Sequence, residues 1–439
     1  MLQSDSRKVR IGDTFIALKG IKDDGHNYIL DAINNGAKKI ICEHGNYPNM
    51  VKVDNTNTYL HKYLKDNYLK YINRLKIIGI TGTNGKTTTS YLIYQAMNIL
   101  GIKCAYIGTI GFYINGKIKD NINTTPDILT LYHMLTKCVK ENVKYVVMEV
   151  SSQGLYYNRV DGLKFDYAVF TNLTIEHLDF HKTMDNYLKE KMKLFSNLKE
   201  DGISIINSDD QYYKNFITDK CITYGVLGDY KIRNINYNID NSSFTVNNIK
   251  YKTSLIGDYN IYNLCVVIII LKQLGISDDN IYNTILKLDS APGRMDKIKY
   301  KDSIIIIDYA HSPDAVEKVL KTLKDKGRIT TIIGCGGNRD KSKRKIMGSI
   351  ASKNSDYVIF TSDNPRYEEC EDIIIDMIQN VDSFNYEIEI NRENAIIKGI
   401  QRLEKNDILL ILGKGHENYQ EIKGVKYPFN DKDVVLKNI

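Results

Sequence analysis

The sequence has no tryptophan and no closely spaced pair of cysteines. Its 7 cysteines are dispersed over 439 residues and none belongs to a C-x-x-C pair, so we do not expect a structural zinc site. An odd, scattered set of cysteines is typical of reduced thiols in the cytoplasm. The sequence also lacks a block of lysine and arginine, and a net charge of +7 is mild for this length. These absences argue against a nucleic-acid-binding protein.

Long apolar segments are missing as well. The longest apolar stretch, LCVVIIILKQL, is too short to cross a bilayer and is typical of a buried helix. The opening residues MLQSDSRKVRIGD contain no apolar signal core. There is no internal repeat and no low-complexity linker. The sequence therefore predicts a soluble, cytoplasmic protein without membrane insertion.

Apolar strands alternate with helices along most of the chain, and this pattern predicts an α/β protein with three domains. Residues 1–74 are expected to form a small N-terminal α/β domain, in which DTFIALKG and IICE are strands and YILDAINNGAKK is a helix. Residues 75–292 are expected to form a central P-loop-type ATPase domain with a parallel sheet. Residues 293–439 are expected to form a C-terminal Rossmann-like domain, and the turn-forming stretch DSAPGRMD marks the boundary before it.

In the central domain, the strand KIIGIT is followed by a glycine-rich turn and by a helix that begins at Lys86. KYVVMEV, DYAVFTN and GISIINSDD are further strands and residues 184–198 a helix, which together predict a parallel sheet covered on both faces. The stretch YKIRNINYNIDNSSFTVNNIKYKTSLIG alternates polar and apolar residues instead, which predicts antiparallel ribbons.

The C-terminal domain has four apolar runs, SIIIIDYAH, RITTIIGCGG, DYVIFTSDNPR and DILLILGKG, and each ends in polar or glycine-rich residues. Ligands bind beyond the carboxyl ends of the strands in open α/β sheets. We therefore expect these four endings to line one crevice.

The stretch TGTNGKTT has the residue types of a phosphate-binding loop. Gly82 and Gly85 permit a tight turn, Lys86 can reach the β- and γ-phosphates of a nucleotide, and one of the threonines that follow can ligate Mg²⁺. A strict P-loop has glycine where this chain has Ile80, so the loop is a shorter form. By itself it is compatible with a kinase, a nucleotide-driven switch or motor, or an ATP-dependent ligase.

Three further residues are ambiguous when they are considered one at a time. Glu149 ends an apolar strand beside the P-loop strand, where its carboxylate is either a magnesium ligand or simply solvated. A lone histidine such as His177 is more often a packing or surface residue. Lys191 by itself is one solvated lysine among many.

Several motifs resemble those of the Mur ligases, the ATP-dependent amide-bond synthetases of peptidoglycan precursor assembly. The motifs are SDSRKVRIGDTFIALKG, TGTNGKTT, NTTPD, MEVSSQGL, TNLTIEHLDFH, PGRMD, DYAHSPD, GCGGNRDKSKR, SDNPR and GKGHENYQ. They occur in the family's order over essentially the whole chain. Within the family, the chain is most similar to the branch that adds the third residue of the stem peptide.

The resemblance implies a reaction in which ATP phosphorylates a substrate carboxylate and an amine then attacks the acyl phosphate. It implies that Lys86, Glu149, His177 and Lys191 are catalytic, with Lys191 carbamylated by CO2 so that it presents an anion to a second magnesium ion. Metal ions and cations offset the charge of two anionic partners in such a transfer. The implied cofactors are ATP and Mg²⁺, and the implied metal ligands are Thr87, Glu149, His177 and carbamylated Lys191.

The resemblance also implies two sets of binding residues. ATP is expected to contact Gly82, Thr83, Asn84, Gly85, Lys86, Thr87, Thr88, Asn260, Asn263, Arg294, Asp308 and His311. The sugar nucleotide UDP-MurNAc-L-Ala-D-Glu is expected to contact Ser4, Ser6, Ile21, Lys22, Asp23, Asn123, Thr124, Thr125, Ser151 and Arg159. Hydroxyl, amide and arginine groups suit a diphosphate and carboxylates. NTTPD is equally natural as the N-cap turn of a helix, and the two roles are compatible.

For the incoming amine, DNPR (363–366) resembles the family motif used for meso-diaminopimelate. Arg366 offers a planar fork for the distal carboxylate, which diaminopimelate carries and lysine lacks, and Glu417 suits the distal ammonium. By itself DNPR is also an ordinary Asn-Pro turn. The implied amino-acid site consists of Arg339, Asp363, Asn364, Pro365, Arg366, Gly413 and Glu417.

The chain departs from the family pattern at three positions. Gln153 stands where the family commonly has histidine, and Glu176 stands where it commonly has aspartate. Tyr157 stands where the family often has a polar residue that binds the sugar. These departures leave the presumed ligands in place and concern the details of sugar binding.

The hypothesis from the sequence is a monomeric ligase with small-molecule partners, which joins meso-diaminopimelate to the D-Glu γ-carboxyl of UDP-MurNAc-L-Ala-D-Glu. The nearest alternative keeps the chemistry but uses L-lysine or another diamino acid such as lanthionine. A folylpolyglutamate synthetase-like ligase shares the loop type, but DNPR and GKGHE argue against it. A P-loop switch or motor would hydrolyse ATP without an amino acid and leaves the C-terminal third unexplained.

Overall fold

The computed structural model describes residues 1–20, 23–382 and 384–439, and its elements alternate between strands and helices. The strands are β1 (Leu2–Gln3), β2 (Thr14–Ile16), β3 (Lys39–Cys42), β4 (Met50–Lys52), β5 (Lys76–Thr81), β6 (Cys104–Gly108), β7 (Gly111–Ile114), β8 (Lys117–Lys119), β9 (Tyr145–Glu149), β10 (Phe165–Phe170), β11 (Leu198–Asn207), β12 (Cys221–Gly225), β13 (Tyr230–Tyr237), β14 (Ser242–Val246), β15 (Ile249–Thr253), β16 (Asp296–Tyr300), β17 (Ser303–Asp308), β18 (Ile329–Ile333), β19 (Tyr357–Phe360), β20 (Tyr386–Ile388), β21 (Ile408–Leu412), β22 (Tyr419–Ile422) and β23 (Val425–Pro428). The helices are α1 (Ile29–Asn34), α2 (Thr56–Ile72), α3 (Lys86–Ile99), α4 (Ile128–Lys140), α5 (Ser152–Tyr156), α6 (Leu178–His181), α7 (Met184–Ser196), α8 (Asp258–Gln273), α9 (Asp278–Ile285), α10 (Pro313–Leu323), α11 (Ser342–Asn354), α12 (Cys370–Ile378), α13 (Arg392–Gln401) and α14 (Asp431–Lys437).

The chain divides into two compact units. The first unit consists of Met1–Gly79, Ile102–Ala168 and Lys193–Gly202, and the second consists of Ile80–Gly101, Val169–Met192 and Ile203–Ile439. Strands β5, β10 and β11 contribute residues to both units, because the divisions fall inside them.

The first unit begins with a parallel sheet in the order β1-β2-β3-β4. Its strands pack around Phe15 and Ile40, and the short helix α1 covers them with Ile29. The predicted strand–helix–strand pattern of this segment is confirmed. Later in the unit, strands follow the order β10-β5-β9-β6-β7-β8. Strands β6 and β9 are parallel, β7 pairs antiparallel with β6, and β8 pairs antiparallel with β7.

Besides the two-stranded sheet of β22 and β23, the second unit contains two sheets. In the first of them the order is β15-β14-β13-β12-β11-β10-β5, and β13, β14 and β15 form the antiparallel ribbon that the alternating pattern predicts. Helix α8 has buried residues all around its axis, including Ile268, Ile269 and Ile270. The prediction that LCVVIIILKQL is a buried helix is therefore confirmed.

The other sheet has the order β16-β17-β21-β18-β19-β20, in which β17 to β20 are parallel to β21 and β16 is an antiparallel edge. The four strands predicted from apolar runs are neighbours in its centre. On β17, Ile304 and Ile306 pack into one apolar cluster, whereas Ile305 and Ile307 pack into another on the opposite face. A continuous apolar run is what a strand covered on both faces requires.

Two further expectations concern the whole chain. Among the helices of the described residues, none combines the length and apolar character that a membrane span needs. All 7 cysteines are free thiols, in agreement with the expectation of reduced cysteines.

Candidate active site

The predicted phosphate-binding loop lies in the second unit between β5 and α3. Gly82 has φ +149° and Gly85 has φ +86°, values that residues with a side chain rarely adopt. A Cβ atom on Gly82 would collide with Thr171 Oγ1, and one on Gly85 would lie 2.8 Å from Asn263 Oδ1. Gly85 is the N-cap of α3, so the positive end of the helix dipole lies at this loop. The loop therefore offers the backbone cradle that an anion requires.

Two lysine side chains meet at one carbonyl oxygen of this loop. Lys86 Nζ donates to Gly82 O and Thr83 O, each at 2.7 Å, and Lys191 Nζ donates to Gly82 O at 2.8 Å. Lys191 is only 1% exposed. Burial and the positive charge of Lys86 lower the pKa of Lys191 well below its usual range, which favours the neutral amine.

Tyr187 contacts several of the predicted residues. The Lys191 ammonium lies 4.4 Å from the centre of the Tyr187 ring, and the tyrosine hydroxyl is 3.2 Å from Thr83 Oγ1. The His181 ring stacks on Tyr187 at a centroid distance of 4.9 Å, and the His177 ring meets it edge-on at 6.1 Å. His177 has φ +57° at the N-cap of α6, and burial lowers its pKa. The predicted metal ligands His177 and Lys191 therefore both contact one tyrosine.

Residues that follow β17 reach the same loop. Asn84 Nδ2 donates to Asp314 Oδ2 at 3.2 Å. Glu176 lies between two histidines, with Oε1 at 3.9 Å from His311 Nε2 and Oε2 at 4.0 Å from His177 Nε2. The structure thus gathers His177 and His311 around one carboxylate, at the position where the family commonly has aspartate.

The two predicted asparagines of α8 are both buried. Asn263 Oδ1 accepts a hydrogen bond from Thr89 Oγ1 at 2.9 Å, and Asn263 Nδ2 donates to Asn260 Oδ1 at 3.3 Å. Asn260 Nδ2 donates to Ile256 O at 2.8 Å. Asn263 is thus placed against the phosphate loop and its helix, whereas Asn260 supports Asn263.

The remaining predicted nucleotide residues lie around the end of β17. Asp308 is buried and accepts the Met295 N–H at 2.7 Å, and burial raises the pKa of its carboxyl. The guanidinium of Arg294 lies over the ring of Tyr309, 4.3 Å from its centre. His311 Nδ1 is 2.8 Å from Tyr309 O. These residues form one group at the start of the C-terminal sheet.

Glu149 lies in the first unit, at the end of β9, and is completely buried. Its Oε1 accepts from the Tyr106 hydroxyl at 2.5 Å and from the Thr109 N–H at 2.8 Å, and its Oε2 accepts from the Thr109 hydroxyl at 3.1 Å. That hydroxyl is also 3.0 Å from Thr124 Oγ1. The strand end therefore carries a fixed carboxylate, and the solvated alternative for Glu149 is wrong.

Three predicted sugar-nucleotide residues meet beside this strand end. Thr125 Oγ1 donates to Glu149 O at 2.9 Å and accepts the Ser151 N–H at 2.9 Å. Arg159 Nη1 donates to Thr125 O at 2.8 Å, and its guanidinium lies 5.4 Å from the centre of the Tyr157 ring. Tyr157, one of the departures, thus contacts a predicted ligand of the sugar nucleotide.

The stretch NTTPD also acts as an N-cap turn. The Asp127 side chain accepts the Thr130 N–H at 2.9 Å and caps α4. Asn123 is exposed at the start of the stretch. The two roles proposed for NTTPD are therefore structurally compatible.

The other predicted sugar-nucleotide residues belong to the first segment of the chain. Ser6 is buried at the start of a short 3-10 helix, and Ser4 precedes it. Asp23 accepts a hydrogen bond from the Tyr28 hydroxyl at 2.8 Å. Ile21 and Lys22 lie outside the described residues.

Arg366 follows β19 and is fixed by the hairpin of β22 and β23. It has φ +56° and forms an isolated parallel bridge with Ile422. Its Nη1 donates to Gly337 O at 2.7 Å, and its Nε lies 3.3 Å from Glu421 Oε2. The predicted ligand of a substrate carboxylate is therefore already paired with a carboxylate of the chain.

Glu417 follows β21 and is linked to the DNPR segment. Its Oε2 accepts from Asn364 Nδ2 at 2.8 Å and from Lys414 Nζ at 2.9 Å. Lys414 also donates to Asn364 Oδ1 at 3.1 Å, and its side chain is 0% exposed. Arg366 and Glu417 thus belong to one hydrogen-bonded network, because the Glu421 N–H donates to the same Asn364 Oδ1 at 2.9 Å.

The other predicted amino-acid residues surround this network. Gly413 has φ +107°, and a Cβ atom there would lie 2.6 Å from Asp363 Oδ2. Pro365 O accepts the Glu368 N–H at 3.0 Å. A Cβ atom on Gly336 would lie 3.0 Å from Arg366 Nη1 and 3.9 Å from Arg339 Cγ, so both arginines approach the same glycine.

Sequence reasoning overlooked four residues of these sites, Tyr106, Tyr187, Lys414 and Glu421. Tyr187 precedes Lys191 by four positions on α7, so helical spacing could have indicated it. Lys414 lies inside the motif GKGHENYQ, and its position three residues before the predicted ligand Glu417 is the one local signal that could have indicated it. Within the described residues there is no group of three His, Cys, Asp or Glu side chains that could hold a metal. The predicted ligand set contains only two residues of those types, so this result does not test it.

Family profiles match three successive parts of the chain. The Mur ligase family catalytic domain matches residues 1–83, the Mur ligase middle domain matches residues 80–271, and the Mur ligase glutamate ligase domain matches residues 293–415. The prediction of an N-terminal, a central and a C-terminal domain is confirmed. The boundaries at 74/75 and 292/293 stay predictions.

Individual relatives cover nearly the whole chain. UDP-N-acetylmuramoyl-L-alanyl-D-glutamate--2,6-diaminopimelate ligase from Fusobacterium nucleatum is 41% identical over 100% of this chain and 93% of its own length. A solved structure of a ligase with that same name is 34% identical, with a TM-score of 0.67, and covers 100% of this chain and 94% of that one. MurF ligase from Thermotoga maritima in complex with ADP is 20% identical, with a TM-score of 0.72 over 99% and 96%, and shows a shared fold.

Proposed function

Since the chain belongs to the Mur ligase family, as its motifs suggested, we propose that it is the ligase that extends UDP-MurNAc-L-Ala-D-Glu with meso-diaminopimelate. In this reaction ATP converts the D-Glu γ-carboxyl to an acyl phosphate, and the amine then displaces phosphate to form the amide. The observation that carries the proposal is the network in which Arg366 and Glu417 are joined through Asn364. It provides a cation for a distal carboxylate and an anion for a distal ammonium.

For ATP, the loop supplies the phosphate site. The φ values of Gly82 and Gly85 form a cradle that a Cβ atom would fill, and Lys86 lies at the same loop. Thr83, Asn84, Thr87 and Thr88 belong to the same loop and helix, and we assign them to the nucleotide with Asn260, Asn263, Arg294, Asp308 and His311. Arg294 and His311 stand beside Tyr309, and this grouping supports a role toward one ligand.

Lys191 fits the carbamylated lysine of the family. Carbamylation requires a neutral amine, and burial beside Lys86 lowers the pKa of Lys191 in that direction. Thr87, Glu149, His177 and a carbamate on Lys191 would together hold Mg²⁺. Bound there, the metal ions would offset the negative charges of the γ-phosphate and the substrate carboxylate. Tyr187 would keep Lys191 and His177 oriented toward the loop.

For the sugar nucleotide, the first unit offers Ser151 and the guanidinium of Arg159, and both are bonded to the buried Thr125. Arginine and hydroxyl groups are suited to carboxylates and phosphates. Ser4, Ser6, Asp23, Asn123 and Thr124 are proposed to complete this site, together with Ile21 and Lys22.

A second candidate amine is L-lysine. Glu421 already lies 3.3 Å from Arg366, so lysine binding would not leave the guanidinium without a counter-charge. The candidate keeps the ligase chemistry and changes only the amine.

The test is the mass of the product formed from ATP, Mg²⁺ and UDP-MurNAc-L-Ala-D-Glu, with meso-diaminopimelate, L-lysine or lanthionine in parallel reactions. We expect product with diaminopimelate and a loss of about 10- to 100-fold in kcat/KM in Arg366→Ala, because a charge-assisted hydrogen bond is removed. The matched control is Arg402→Ala, since Arg402 is exposed and stacks on Tyr357. If product forms with L-lysine alone, lysine and not diaminopimelate is the substrate. ATP hydrolysis without any product would contradict the assignment as a ligase.

A further inference from the structure

Two ion pairs lie within the amino-acid network. One joins Glu417 to Lys414 at 2.9 Å, and the other joins Arg366 to Glu421 at 3.3 Å. Glu417 and Arg366 are predicted substrate ligands. Their partners, Lys414 and Glu421, carry the opposite charge and have not been assigned a role toward the substrate. Asn364 connects the pairs, because its amide group donates to Glu417 and accepts from Lys414 and from the Glu421 N–H.

The two additional residues differ in exposure. The Lys414 side chain is 0% exposed, so a ligand cannot touch it and its charge must act through Glu417 and Asn364. The side chains of Arg366 and Glu421 are 22% and 23% exposed. In the described part of the chain, Arg366 Nη1 bonds Gly337 O and Nε faces Glu421, whereas Nη2 makes no hydrogen bond. The fork therefore retains donors for an incoming carboxylate while its charge is partly compensated.

The charges of the pairs match one kind of side chain. The distal end of diaminopimelate carries an ammonium and a carboxylate and has no net charge, whereas the distal end of lysine carries an ammonium alone. A site charge that lacks its counter-charge attracts an opposite ligand charge more strongly. Both amines carry the distal ammonium, so the choice depends on the net charge of the distal end. Without Lys414 the site is more negative and favours the net positive end of lysine, and without Glu421 it is more positive and favours the added carboxylate of diaminopimelate.

We propose that Lys414 and Glu421 are positioning residues that set the choice between an amine with a distal carboxylate and an amine without one. The proposal rests on the proposed function and deepens it, since it assigns the selectivity of that site to two residues behind the direct ligands. Lys414 limits the attraction of Glu417 for a bare cation. Glu421 limits the preference of Arg366 for a carboxylate and orients its fork through Nε.

The experiment compares kcat/KM for meso-diaminopimelate and L-lysine in the wild type, Lys414→Met and Glu421→Gln. The measured quantity is the ratio of the two values. We expect the ratio of diaminopimelate to lysine to fall about tenfold in Lys414→Met and to rise about threefold in Glu421→Gln, as modest changes in electrostatic free energy would produce. A purely structural role would lower both values together and leave the ratio unchanged.

Matched controls remove the same charges from an exposed pair near the hairpin. Lys423 and Glu369 lie 3.4 Å apart, with side chains 69% and 65% exposed, so Lys423→Met and Glu369→Gln should leave the ratio unchanged. Removal of a buried cation can also prevent folding. Lys414→Arg, which keeps the charge, should therefore restore part of the ratio, and Glu421→Gln tests the proposal independently because its side chain is partly exposed.

The outcomes separate this proposal from the proposed function. Opposite shifts of the ratio in the two variants support it. Unchanged ratios, or shifts in the same direction, overturn it while product formation with diaminopimelate upholds the ligase. A wild type that joins neither amine to the sugar nucleotide overturns both.

Discussion

Lys191 and Lys414 are both enclosed lysines of the second unit, but the chain surrounds them differently. Lys191 donates to a carbonyl oxygen of the phosphate loop, and a second cation, Lys86, donates to the same atom. Lys414 donates to the carboxylate of Glu417. Burial penalises an ammonium in both places, but only the second site supplies a carboxylate at hydrogen-bond distance to offset the penalty.

The difference indicates two uses of a buried lysine. At Lys191, the environment lowers the pKa and prepares a neutral amine, which suits covalent modification by CO2. At Lys414, the side chain instead donates to the carboxylate of Glu417 and supports an acidic ligand. Four predictions sharpen or break this comparison.

The largest effect is expected from Lys191→Ala. We expect kcat to fall about 10³-fold, because the variant cannot form the anionic group proposed to hold a metal ion during phosphoryl transfer. Added acetate should restore part of the activity by supplying a carboxylate. The matched control is Lys189→Ala on the same helix, since Lys189 is exposed and pairs with Asp185. Near-normal turnover in Lys191→Ala would contradict the use of Lys191 as a modified, catalytic lysine.

Glu417→Gln tests, through stability, whether the carboxylate of Glu417 offsets the burial of Lys414. We expect the free energy of unfolding to fall by about 3 kcal/mol, because Lys414 would remain buried without its carboxylate. Lys191→Met should cause no comparable loss, because it removes an amine whose hydrogen bond goes to a neutral carbonyl. Urea unfolding of both variants at pH 7 measures this contrast. Equal losses in the two variants would show that the carboxylate does not distinguish the two lysines.

Gly82→Ala should disturb the carbonyl shared by Lys86 and Lys191. The new Cβ atom would collide with Thr171 Oγ1, so the loop must shift, and we expect ATP affinity to fall about tenfold. Gly12→Ala is a control for backbone strain, since Gly12 has φ +90° and a Cβ atom there has open space. Calorimetric titration with ATP gives the affinities. Equal affinities in the two variants would mean that the geometry of this loop is not required for nucleotide binding.

The smallest effect is the pH dependence of stability at Lys191. Its pKa is lowered in the folded chain, so unfolding takes up a proton between that pKa and the ordinary lysine value of about 10.4. The wild type should therefore gain stability relative to Lys191→Met as pH rises through this window, and the difference should be constant below it. Urea midpoints in CO2-free buffer across this range measure it, with Lys189→Met as the control. A difference that is independent of pH would contradict a depressed pKa.

In the sheet of β16 to β21, the sequence allowed the central strands to be predicted but not the two edges. SIIIIDYAH and DILLILGKG are recognisable because strands buried on both faces need continuous apolar runs. The edge strand β16 has the sequence DKIKY and β20 has the sequence YEI, so neither carries that signal. Edge strands are exposed on one side, and their pairing is determined by the neighbouring strand rather than by their own composition.

The candidate site was predictable where chemistry is concentrated in a motif. Gly82, Gly85 and Lys86 could be assigned from local order alone, because strand, turn and helix are consecutive. The links of Lys414 and Glu421 to Asn364 could not, because they span 50 and 57 positions, although the ion-pair partner Glu417 lies only three positions from Lys414. Such pairings depend on how the ends of β19 and β21 meet in space, and a single sequence does not encode that distance in any local pattern.

The turn that joins β22 to β23 has a consequence for how the choice of amine can change over evolution. Lys423 and Gly424 have φ +49° and +79°, as in the tight two-residue turns of hairpins, and Lys423 N donates to Arg366 O at 2.5 Å. The strand before this turn also pairs with Arg366 through Ile422. An insertion or deletion at the turn would therefore displace the guanidinium without replacing any charged residue. Relatives with an identical DNPR motif could prefer different amines because their hairpins differ in length.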